Sequence, residues 1–91
     1  MERVSRQEVY EAIDTEREYQ DRLGAERTDG RQHTVGDYLT MLRVYLAQAE
    51  VAWAKNTGDG AALEEIRKVA GISVKCMEEW GAPRRDLNVL H

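Results

Sequence analysis

The chain has 91 residues with 13 basic and 17 acidic side chains, a net charge of −4 and a pI near 5.2. That balance excludes a general electrostatic attraction to nucleic-acid backbones or anionic membrane surfaces. The single cysteine, Cys76, excludes an internal disulfide, and with no long apolar run and no signal-type leader the expectation is a cytoplasmic protein off the membrane in a reducing setting.

One domain spanning 1–91 is expected. A chain this short buries only roughly 60–65% of its unfolded surface, so a homo-oligomer is expected too. Ten arginines stand against three lysines. The planar guanidinium suits bidentate contact with carboxylate or phosphate, which allows a local anion site on an acidic protein.

Ser5-Arg6-Gln7-Glu8 is a capping box, with Val4 and Val9 placed as a hydrophobic staple, and predicts a helix over 6–23 that stops at Gly24. Val9, Ile13, Glu16, Gln20 and Leu23 recur at spacings of four, three, four and three along it, which puts them in one stripe. Two polar residues in that stripe leave three readings. An arginine or histidine from elsewhere reaches Glu16, or this end of the bundle opens into a wet pocket, or the helix projects past the core.

Residues 25–33 show no apolar period and contain the Asp29-Gly30 turn signal, so a loop is expected. Thr34 then caps a second helix over 35–55. Its predicted core stripe is Val35, Tyr38, Leu39, Leu42, Tyr45, Leu46, Ala49, Ala52 and Trp53, with Met41, Val44 and Val51 as a thinner second line. The turn 56–60 offers Asp59 as a cap for a third helix over 60–80, ended by Gly81 and Pro83.

This third helix carries apolar residues around most of its circumference and is expected to be the most buried, with Cys76 an inert thiol inside it. Charge is confined to a line through Glu64, Lys68, Lys75 and Glu79. The tail 84–91 holds Leu87, Val89 and Leu90, apolar enough to dock. The predicted fold is all-α, a three-helix antiparallel bundle.

Three groups of residues are candidates for chemistry. The first is Glu16, Arg17, Tyr19 and Gln20. The second is Asp29, His33 and Asp37, the one set that metal ligation would use, against the plainer reading of His33 as a surface hydrogen-bonding residue. The third is Arg67, Lys68, Arg84 and Arg85 beside Trp80, able to hold a phosphate and stack a base, against structural pairs with Glu64 and Glu78 and simple packing of the indole. No phosphate loop, nucleophile elbow, HExxH or CxxC occurs. No catalytic residue, cofactor or metal is therefore called for.

Glu16-Arg17-x-x-Gln20, the His33-Thr34 pair before Asp37-Tyr38-Leu39, Arg67-Lys68-Val69-Ala70, and Glu78 close to Gly81-Ala82-Pro83-Arg84 together resemble small all-α proteins of phages and prophages over nearly the whole chain. Those proteins are distantly similar to MazG-like nucleoside triphosphate pyrophosphohydrolases, helical oligomers that hold magnesium with Glu-Glu-x-x-Glu followed by Glu-x-x-Asp. In Glu64-Glu65-Ile66-Arg67-Lys68 a lysine stands where the third acid belongs. Glu-x-x-Asp, as in Glu11 to Asp14, occurs earlier in the chain instead of later.

A cation in place of a magnesium ligand disfavours metal binding of that type. Phages also make small helical oligomers that sequester the nucleotide signals of bacterial immunity. The resemblance therefore implies a non-enzymatic binder of a nucleotide-derived ligand, with Glu16, Arg17, Gln20, Arg67, Arg84 and Arg85 as polar contacts and Tyr19 or Trp80 for stacking. The alternatives are a magnesium-dependent pyrophosphohydrolase using Glu64 and Glu65, and a structural or protein-binding helical module.

Overall fold

The computed structural model describes residues 3–26 and 32–88. They form three α-helices, α1 (Arg6–Glu26), α2 (Val35–Lys55) and α3 (Gly60–Trp80). The starts of α1 and α2 follow the capping chemistry. The Glu8 amide donates to Ser5 Oγ at 3.1 Å and the Ser5 amide to Glu8 Oε1 at 3.3 Å. At α2, Thr34 and Asp37 make the same reciprocal pair at 3.0 and 2.8 Å.

One expected stop fails, and one expected cap forms at its position without the side-chain bond. Helix α1 runs through Gly24 to Glu26, because glycine inside a helix lowers its stability without removing a backbone donor or acceptor. Asp59 makes no side-chain cap at α3; its backbone carbonyl takes the Leu63 amide at 2.9 Å, while Gly58 supplies the left-handed turn at φ +83°.

The fold is an all-α three-helix antiparallel bundle with α3 in the middle. Contacts of Tyr38 and His33 with Glu79 and Trp80 set α2 antiparallel to α3, while Glu16 to Arg67 and Gly24 to Lys75 show α1 running parallel to α3. Among the described residues α1 packs on α3 alone, with no approach to α2. The first turns of α1 project past the core, and Val9 and Tyr10 are exposed.

Helix α3 holds the buried Ala62, Gly71 and Ile72. It is still far from enclosed, since Leu63, Ile66, Met77 and Trp80 are exposed and Cys76 is half-buried. The expected core stripe of α2 needs a similar correction: Tyr38 and Ala49 are buried, but Val35, Leu39, Leu46 and Trp53 are exposed. Among the described helices only α3 packs on α2, and it covers the part of the stripe carrying Tyr38, Tyr45 and Ala49, about a quarter turn from Val35, Leu39, Leu46 and Trp53.

The tail does not dock where it is described. Leu87 is 83% exposed; Val89 and Leu90 lie outside the described residues. The radius of gyration is 15.0 Å, against about 12 Å for a compact chain of this length.

Gly71 is what lets α1 come close. A Cβ there would meet Gln20 Nε2 at 2.7 Å and Glu16 Cγ at 2.8 Å. Gly71→Ala should gain up to about 1 kcal/mol in helix propensity but lose more by displacing two anchored side chains, for a net loss of about 1 kcal/mol. That corresponds to a melting temperature roughly 4–8 °C lower. Gly60→Ala, where nothing lies within 4 Å, is the matched control and should not lower it.

Candidate functional site

The polar break in the first helix is built into the α1–α3 joint. Glu16 is 5% exposed and Arg17 7%. Arg67 Nε donates to Glu16 Oε1 at 2.9 Å, so an arginine partner is observed for Glu16, and Glu16 and Gln20 also border an open pocket. Gln20 Nε2 donates to Glu16 Oε2 at 3.4 Å and to the Lys68 carbonyl at 3.5 Å, both at the long end of the range.

Arg17 grips Glu78 with Nε and Nη2 at 2.9 and 3.1 Å, and also donates to Asp21 at 2.9 Å and Gln20 Oε1 at 3.1 Å. Charge-assisted, bidentate bonds of this kind are the strong ones. The Glu78 bond, opposed by burial, raises the Arg17 pKa, and Arg17 in turn holds the Glu78 carboxyl below its ordinary value.

Because α1 and α2 stay apart, an open cleft of about 490 Å³ lies between them with α3 as its floor. Glu16, Tyr19, Gln20 and Leu23 line it from α1, Met41 and Tyr45 from α2, and Lys68, Ile72, Lys75 and Glu79 from α3, with His33 at one end. The volume is in the range of small-molecule sites.

Tyr38 donates its hydroxyl to Glu79 Oε2 at 2.6 Å. Burial first, and then that carboxylate, push the phenol well above its ordinary range. The His33 ring meets Tyr38 edge-on, with centroids 5.5 Å apart. Lys68 pairs with Glu65 Oε1 at 2.9 Å, which raises its pKa, and Glu65 Oε2 is shielded from solvent without a hydrogen-bond partner. Lys75 has no ion pair among the described residues.

The sequence-derived set divides. Glu16, Tyr19 and Gln20 border the cleft, and Arg67 with Glu64 borders a shallower hollow of about 370 Å³ on the other side of Glu16 and Tyr19. Arg17 is committed to its carboxylates. Trp80 donates its indole N–H to the His33 carbonyl at 2.9 Å, which fastens the end of α3 to the entry of α2 outside the cleft. Arg84 and Arg85 are exposed beyond α3 and line neither hollow.

The sequence patterns place Lys75, Tyr45 and Met41 in no candidate group and His33 only in the metal set, although Lys68 and Lys75, seven apart on one helix, share a face. Of the suggested metal set, Asp29 lies outside the described residues, and the Asp37 carboxylate caps the Thr34 amide. Among the described residues no three metal-ligating side chains gather, and no helix is long and apolar enough to cross a membrane.

Arg67→Ala strands the buried Glu16 carboxylate and should cost roughly 2–3 kcal/mol in chemical denaturation, less than for a fully buried pair because the Arg67 side chain is 39% exposed; adding Glu16→Gln should recover much of it. The depressed Glu78 pKa means that the unfolded chain takes up a proton first on acidification. The stabilisation is complete above the ordinary value near 4.5 and is lost as pH falls through the lower folded value. Glu78→Gln should therefore flatten the acid limb of the stability profile, measured by circular dichroism between pH 5 and pH 2.

Set against models of protein families, characterised proteins and solved structures, the chain finds no match.

Proposed function

We propose that the chain binds a nucleotide-derived small molecule in the α1–α2 cleft and holds it without turnover. The observation that carries this reading is the meeting of two lysines, Lys68 and Lys75, with Tyr19, Tyr45 and His33 around one open volume of about 490 Å³. Ammonium groups suit a phosphate and aromatic rings suit a base. In this reading Lys75 replaces Arg84 and Arg85 as the principal anion contact, and Tyr19 replaces Trp80 for stacking.

Binding is favoured over hydrolysis because the acids at the cleft are already engaged. Glu16 is paired with Arg67 and Glu79 accepts from Tyr38. Lys68, standing where the related enzymes' third acid belongs, itself pairs with Glu65. A carboxylate held by a cation is a poor magnesium ligand. Sequestration of a signalling nucleotide, as the resemblance to phage proteins suggests, follows from tight binding with no reaction.

Calorimetry with mononucleotides and cyclic dinucleotides should show binding at micromolar concentrations. Lys75→Ala should weaken it by about tenfold or more, the worth of one charge-assisted hydrogen bond, while Arg84→Ala should leave it within about twofold. Absence of heat with every nucleotide, or magnesium-dependent release of pyrophosphate from a triphosphate, would refute the proposal.

A further inference from the structure

Two apolar stripes on α2 and α3 have no helix packed on them among the described residues, and both have coiled-coil spacing. On α2, Val35, Leu39, Leu46 and Trp53 are 44, 59, 51 and 65% exposed; with the half-buried Leu42 they step by four, three, four and seven residues, the remaining heptad position being Ala49, which is buried toward α3. On α3, Leu63, Ile66, Met77 and Trp80 are 41, 49, 43 and 50% exposed. With Ala70 and Ser73 these step by three and four alternately. Alternating three and four is the a/d pattern of a helix that packs on another helix along its whole length.

The two stripes lie on one face of the α2–α3 hairpin. At about 100° per residue, each is displaced in the direction of increasing helical angle by roughly 80–100° from the side that faces the other helix. In an antiparallel pair such displacements lead to the same side. Residues Arg67, Gly71 and Glu78, which meet α1, fall on the opposite flank of α3. Helix α1 thus covers one side of the hairpin and leaves the other bare.

We infer that this bare face docks on a second copy of the chain, the two hairpins stacking across a twofold axis into an antiparallel four-helix core. Two features point to a copy instead of a different partner. The eight exposed side chains present on the order of 800 Å² of mostly apolar surface, about what each partner contributes to a stable interface. The charges beside the stripe are also self-complementary. Arg43 and Glu50 are exposed on its outer margin, seven residues apart. A twofold axis crossing α2 between residues 46 and 47 sets Arg43 of one copy opposite Glu50 of the other, twice over, as an isologous interface requires. The cleft between α1 and α2 opens on the opposite side and stays accessible, so the inference is independent of the proposed ligand.

Sedimentation equilibrium of the full chain should give a dimer at micromolar concentration. Leu46→Lys and Ile66→Lys, each at a site already about half exposed in the protomer, should shift it to monomer with helical circular dichroism retained. Val44→Lys, on the far side of α2, should leave the dimer intact. Arg43→Glu should weaken association by about tenfold, and Arg43→Glu with Glu50→Arg should restore it. A wild-type monomer at 100 μM, a dimer indifferent to both Leu46→Lys and Ile66→Lys, or failure of the paired charge swap to restore association would overturn the inference.

Discussion

The fold depends on how α1 is attached. Helices α2 and α3 form a hairpin with an apolar and aromatic seam, but α1 reaches α3 through carboxylates, guanidinium groups and an amide gathered over Gly71. An interface of that kind demands satisfied geometry, because a buried charge that loses its partner is costly. It also favours one register: Glu16 and Gln20 lie over Gly71, the one α3 glycine beyond the first residue of the helix, and Arg17 reaches Glu78 from there. A greasy α1 face would slide more freely along α3.

The cleft is a consequence of that attachment. With α1 held to the flank of α3 away from α2, the two outer helices do not close on each other, and the space a compact three-helix bundle would fill with core remains open. The acids nearest it are tied to cations or to Tyr38. Lys75 is the charge left with no such tie among the described ion pairs. The proposed holding of an anion without turnover rests on this arrangement of charges.

The same open arrangement leaves the hairpin bare on its other side. A chain of this size gains little from its own core, and α2 and α3 each carry more apolar residues than one neighbour can cover. In the proposed dimer, attachment through a polar joint on one face and association through an apolar seam on the other would divide the work between two kinds of force, the first setting orientation within the protomer and the second supplying burial that the protomer lacks.

Much of this was legible in the sequence, though unevenly. Helix spans followed from local signals whose physics is local: Ser5 with Glu8 and Thr34 with Asp37 satisfy orphan amides within one turn, and Gly81 ends α3 with a backbone few other residues adopt. Gly24 misled because a stop signal acts only where the chain has another reason to turn, whereas Asp59 stands at the cap of α3 as its position suggested, through its backbone alone. Periodicity identified apolar stripes on α2 and α3, but not which stripe meets a neighbour, since Val35, Leu39, Leu46 and Trp53 read as core as readily as Tyr38 and Ala49. Only the tertiary structure decided that Glu16 meets Arg67, that Arg17 belongs to Glu78, and that Lys75 faces the cleft while Arg84 does not. These pairings join residues tens of positions apart, and their geometry depends on the angle at which α1 crosses α3, which no local pattern encodes.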